Sequence, residues 1–118
     1  MTTFTVDPAA RPDACYRIDT FTIPEEARAE LEATMHRNME LIRALPGFLG
    51  HVAFEKDAGP ASFDLVTVAT WESAAAMARA GEAVRAHSQA IGLDLPATLA
   101  RWGVTMERGD FVTPARLQ

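Results

Sequence analysis

Two prolines bracket the segment that constrains this chain most. Pro24 is followed by Glu25 and Glu26, and Pro46 by Gly47. A proline in a first helical turn gives up an N–H that has no intrahelical partner. Two acids there meet the positive end of the helix dipole, and a Pro-Gly step stops the helix. Between the brackets Ala27, Leu31, Met35, Ile42 and Leu45 recur at helical spacing, which predicts one amphipathic helix with a single buried stripe. That stripe needs a surface to cover, and the flanking segments supply one. Cys15 to Ile23 (CYRIDTFTI) is β-branched and aromatic up to Pro24, and Phe48 to Lys56 (FLGHVAFEK) reads as a second strand.

The rest of the order follows from the same cues. Asp57-Ala-Gly-Pro60 is a turn, and Phe63 to Trp71 (FDLVTVATW) is a strand that pairs with its predecessor as a hairpin. Ser73 is an N-cap for an alanine-rich run to Ile91 with the stripe Met77, Gly81, Val84, Ser88 and Ile91, which Gly81 is expected to break into two short helices. Pro96 opens a short helix through Trp102 that Gly103 closes, and Val104 to Val112 is the last strand. The order β-α-β-β-α-β predicts an α+β, ferredoxin-like domain: a four-stranded antiparallel sheet with its helices on one face.

The chain's 118 residues suffice for one domain, placed at 14–112, with tails at 1–13 and 113–118. A single cysteine excludes an internal disulfide framework. The net charge of −5 repels phosphate backbones, so nucleic acid is not an expected partner. No apolar run approaches a membrane span and the N-terminus lacks a signal-peptide pattern, so a cytoplasmic protein is expected. One consequence concerns assembly. The third strand carries Phe63, Leu65, Thr67, Ala69 and Trp71 on one side and Val66, Val68 and Thr70 on the other, so neither side is polar. Helices on one face leave the other bare, and the expectation is a homodimer packed through its sheets.

The opening strand, the Pro24-Glu25-Glu26 helix, the Pro46-Gly47-Phe48-Leu49-Gly50 lead into the second strand and the Trp71-Glu72-Ser73 junction carry a resemblance over residues 15–112. The chain resembles the antibiotic biosynthesis monooxygenases, a family of dimeric α+β barrels. The resemblance implies a pocket between helices and sheet in each subunit. It also implies oxidation of an aromatic or polyketide-like phenolic substrate by O₂, with no cofactor, because the deprotonated substrate itself reduces oxygen. Two other readings stay open: a dimeric, stress-associated or small-ligand-binding protein without chemistry, and a haem-binding relative.

Specific residues follow from this. Trp71 falls where oxygenase members place a pocket tryptophan, although a strand-end indole is also ordinary core packing. His87 resembles in place the helix histidine that binds haem iron in haem-degrading relatives, and could instead be a base for a phenolic proton. Those relatives also carry an asparagine on the first strand, which CYRIDTFTI lacks. Asn38 falls in the middle of the first helix's apolar stripe, so it needs either a core partner, such as a strand or Arg17, or a ligand. Arg17 and Asp19 share one face of the first strand. On the pocket side they would be an anchor for an anionic oxygen and a base; on the dimer side, interface polar groups. His51 poses the same question, while His36 lies opposite the helix stripe. Trp102, with Pro96 and Leu99, either lines the pocket or fills it. No histidine, cysteine and carboxylate spacing matches a metal site, no glycine-rich loop matches a phosphate site, and nothing near Cys15 activates its thiol.

Overall fold

The computed structural model describes residue 7 and residues 9–118. Of the expected N-terminal tail, residues 1–6 and 8 lie outside the described residues, and 9–13 form turns. The elements run β1 (Cys15–Thr22), α1 (Arg28–Ile42), β2 (Phe48–Glu55), β3 (Leu65–Trp71), α2 (Ala74–Ala90), α3 (Leu95–Trp102) and β4 (Thr105–Phe111). All strand pairs are antiparallel in the order β2-β3-β1-β4, which is the ferredoxin-like α+β arrangement.

Local chemistry fixes the element ends. Pro24 is followed by a 3-10 turn, Glu25–Ala27, before α1 begins. The helix stops short of Leu45, because the chain then turns through Gly47 at φ +86°. β3 starts at Leu65, two residues later than its composition suggests, since Asp64 is committed elsewhere. Its N–H donates to the Phe21 carbonyl and its carboxylate accepts the Ile23 N–H at 2.8 Å. Ser73 caps α2 by accepting from the Ala76 N–H at 3.1 Å, and Asp94 caps α3 in the same way from Ala97. Gly81 does not divide the second helical run. An interior glycine costs only about 0.5–1 kcal/mol relative to alanine, and a 17-residue helix with a buried face absorbs that.

The helices cover the face of the sheet that carries Phe21, Leu65 and Trp71. Buried side chains there form two clusters. One joins Phe21, Ile23, Ala27, Leu31, Leu99 and Val104, and the other Cys15, Trp71, Met77 and Ala80. The opposite face carries Ile18, Val52, Val66 and Val68, with Phe54 and Phe111 left 56% and 49% exposed. The hydrophobic core is thus split in two on one side of the sheet; the other side is largely apolar, buried at its Tyr16–Thr70 end and half-buried or exposed along the rest among the described residues.

Candidate functional site

A cavity of about 660 Å³ lies between the two core clusters, walled by α1, α2 and the start of α3 and floored by the sheet. The strand register orders its floor in rows. The row Asp110–Arg17–Ala69–His51 runs across β4, β1, β3 and β2, and beside it runs Arg108–Asp19–Thr67–Ala53. Apolar rows flank both, with Met106, Phe21 and Leu65 on one side and Cys15 and Trp71 on the other. On the floor the polar groups are confined to the middle rows, and the helices add Asn38, Arg85, Ser88, Gln89 and Asp94 to a lining that is mostly apolar, which suits a ligand with an apolar body and a few polar atoms.

Arg17 and Asp19 settle the question of their face: both line the cavity. Both are held in ion pairs, and Asp19 is not free to act as the base the sequence suggested. Asp19, with a side chain only 13% exposed, accepts from Arg108 Nε at 2.7 Å and Nη2 at 3.0 Å, so both carboxylate oxygens are taken. That pairing holds the Arg108 proton more firmly than usual, chiefly through the hydrogen bond. Arg17 forms the matching fork to Asp110, at 2.9 and 3.1 Å, and the hydrogen bond from Arg17 pulls the Asp110 carboxyl below its ordinary range. The two forks arise from one sequence device. β1 carries Arg17-Ile18-Asp19 and β4 carries Arg108-Gly109-Asp110, and an antiparallel pairing of two Arg-x-Asp steps sets each cation opposite an anion. That repeated step is the signal by which Arg108 and Asp110 could have been found in advance.

Of the other expected residues, Asn38 is half-buried and lines the cavity from α1, where Arg17 is not its partner because that guanidinium is turned to Asp110. Trp71 is 3% exposed, lines the cavity, and sits edge-on to Phe48 at 5.4 Å between ring centres. His87 is a correction. It is exposed on α2 and does not line the cavity, because Val84 and Ser88 occupy the inward face of that turn. Trp102 is also corrected as a lining residue: it packs half-buried against the cluster of Phe21, Leu31 and Leu99 and helps to close that end. Leu99 and Pro96 do line the cavity, so the α3 region walls it without filling it.

His51 takes the place that His87 vacates. It stands on the cavity side of β2, in the same row as Arg17, with the small Ala69 between them. Burial lowers its pKa, the charge of Arg43 lowers it further, and Asp19 opposes both. A neutral imidazole at neutral pH is the form that can accept a proton. Among the described residues no group of three or more His, Cys, Asp or Glu side chains is placed to hold a metal ion, and no helix is long and apolar enough to cross a membrane.

The antibiotic biosynthesis monooxygenase family model matches residues 16–90, more than half of the chain. The chain belongs to the antibiotic biosynthesis monooxygenase family. The fold has clear neighbours among solved structures. A candidate monooxygenase from Shewanella loihica superposes with a TM-score of 0.67 at 18% identity, covering 86% of this chain and 95% of that one. SnoaB, a cofactor-independent oxygenase from Streptomyces nogalater, gives 0.64 at 24% identity, covering 86% and 94%. MhuD, solved with two manganese protoporphyrin IX molecules per active site, gives 0.63 at 21% identity, covering 84% and 93%. No curated protein sequence matches this chain. Porphyrin ligation through His87 does not fit the family member described here, since that imidazole lies outside the cavity and β1 offers no asparagine.

Proposed function

We propose that the protein is a cofactor-independent monooxygenase that oxidises a phenolic, polyketide-like aromatic substrate with O₂. The observation that carries this reading is the chamber itself. It is walled by Trp71, Met77 and Leu31, has the volume of a site for a multi-ring ligand, and sets one neutral base, His51, in a floor whose charged groups are paired with one another. His51 removes the phenolic proton. The electron-rich anion then gives an electron to O₂, and the two radicals combine to form a carbon–oxygen bond as a hydroperoxide. Loss of water leaves a carbonyl, so that a ring CH₂ and O₂ become C=O and H₂O. The largely apolar walls limit water around the anion, and the lining offers the Trp71 N–H and the Asn38 amide as donors for the oxygen atoms.

The uncovered sheet face supports the remaining part of the proposal, a homodimer packed through Val66, Val68 and Phe54. The internal pairing of Asp19 and Arg17 favours a second reading, a ligand-binding barrel without turnover. Mass spectrometry separates the two. With an anthrone substrate under ¹⁸O₂, the oxygenase yields a quinone carrying one labelled atom, faster than the uncatalysed reaction. Tight anthrone binding with no rate above that background assigns the binding protein instead.

A further inference from the structure

The two guanidiniums on the cavity floor are held in the same unusual way. Each pairs side-on, through Nε and Nη2, with the aspartate across the strand. In a planar guanidinium that fork leaves Nη1 and the outer Nη2 hydrogen on the far edge, and among the described residues no protein acceptor meets either Nη1. The free edge of Arg17 lies beneath α2 at Gly81, where a Cβ would come within 3.9 Å of Nη1. A Cβ at that distance would be in ordinary van der Waals contact with the edge. The two arginines sit on adjacent strands one step apart diagonally, and both line the cavity. The forks neutralise Arg17 with Asp110 and Arg108 with Asp19, and Arg85 and Asp94 complete the charged lining, so what the two arginines offer a ligand is their free N–H donors rather than an excess of charge.

We propose that Arg17 and Arg108 form a carboxylate-binding subsite, so that the ligand is an aromatic acid with its anionic group at the β4 end of the floor. It rests on the reading of the chamber as a substrate pocket. Strand spacing separates the Arg17 and His51 backbones by about 10 Å, with Ala69 between them. The acid group and the ionisable hydroxyl therefore lie on opposite edges of the ring system. The aspartates hold the forks in place and already have their charge neutralised, so they act as positioning residues.

The test is anaerobic titration calorimetry of the full chain with anthraquinone-2-carboxylate and, as the uncharged comparison, its 2-carboxamide. The wild type is expected to bind the carboxylate at least about tenfold more tightly. Each pair is then removed without leaving a lone charge, as Arg17→Gln with Asp110→Asn and separately as Arg108→Gln with Asp19→Asn. Either variant should still bind the carboxamide and lose at least about threefold of the preference. The pairs are replaced one at a time so that one decides if the other fails to fold. Equal wild-type affinity for the two probes, binding of neither, or a preference unchanged in a variant that still binds the carboxamide overturns the proposal. No oxygen enters the assay, so its outcome is independent of whether the protein is an oxygenase.

Discussion

At the residue scale His51 is the group whose chemistry is most exposed to test. Burial makes its charged form costly in the folded chain, so its folded pKa lies below the ordinary 6.5. Between those two values the unfolded chain binds more protons than the folded one, and stability rises with pH. The folded protein should therefore lose stability as pH falls from 7 through 6.5, and His51→Gln should remove that part of the loss. Chemical denaturation at pH 7 and at pH 5.5 measures it; equal pH dependence in both proteins would contradict the burial of this imidazole. Gly81 gives a second case. Alanine there suits the helix, and its Cβ meets nothing closer than Arg17 Nη1 at 3.9 Å. Gly81→Ala should therefore stabilise by about 0.5–1 kcal/mol in denaturant melts.

At the element scale the turn after α1 matters more than its length suggests. Gly47 holds a positive φ, a Cβ there would meet the Ala76 Cβ at 2.5 Å, and its carbonyl accepts the Glu72 N–H. This one residue locks the α1–β2 turn against the start of α2. Gly47→Ala should cost about 2 kcal/mol or more, against about 1 kcal/mol for removing the Ser73 cap, and thermal melts of the two variants rank them. These elements were legible because their signals are local: Pro24 and Pro46-Gly47 bracket α1, Ser73 caps α2, and the two-sided pattern of β3 announces a covered and an uncovered face. The Gly81 break failed because the energy of tertiary burial outweighs one glycine's propensity. His87 failed because a resemblance in place along a helix does not fix the rotation of its face, and a shift of one position on α2 moves a side chain by 100°. The Arg17–Asp110 pairing, 93 residues apart, becomes visible only when the register of β1 on β4 is known.

At the scale of the whole molecule, the division of labour between the two faces of the sheet is the organising fact. The helix-covered face holds the cavity, and its two polar rows interrupt what would otherwise be one continuous core. The other face presents Ile18, Val52, Val66 and Val68 with the exposed rings of Phe54 and Phe111. Light scattering should give twice the 12.8 kDa chain mass, and Val68→Glu should shift it to the single-chain value. A wild-type protein that elutes as a monomer at all concentrations would contradict the proposed pairing. A dimer also stiffens the floor from below, so a monomeric variant is expected to lose ligand affinity along with its partner.

The most direct test of the central claim is the initial rate of oxygen uptake by the metal-stripped protein with an anthrone substrate, compared between wild type and His51→Gln. The account predicts one O₂ consumed per quinone formed in the wild type, and a loss of at least about a hundredfold in the variant, the usual worth of a positioned general base. Uptake that His51→Gln leaves unchanged, or no uptake above the uncatalysed rate in a wild type that binds the substrate, would contradict it.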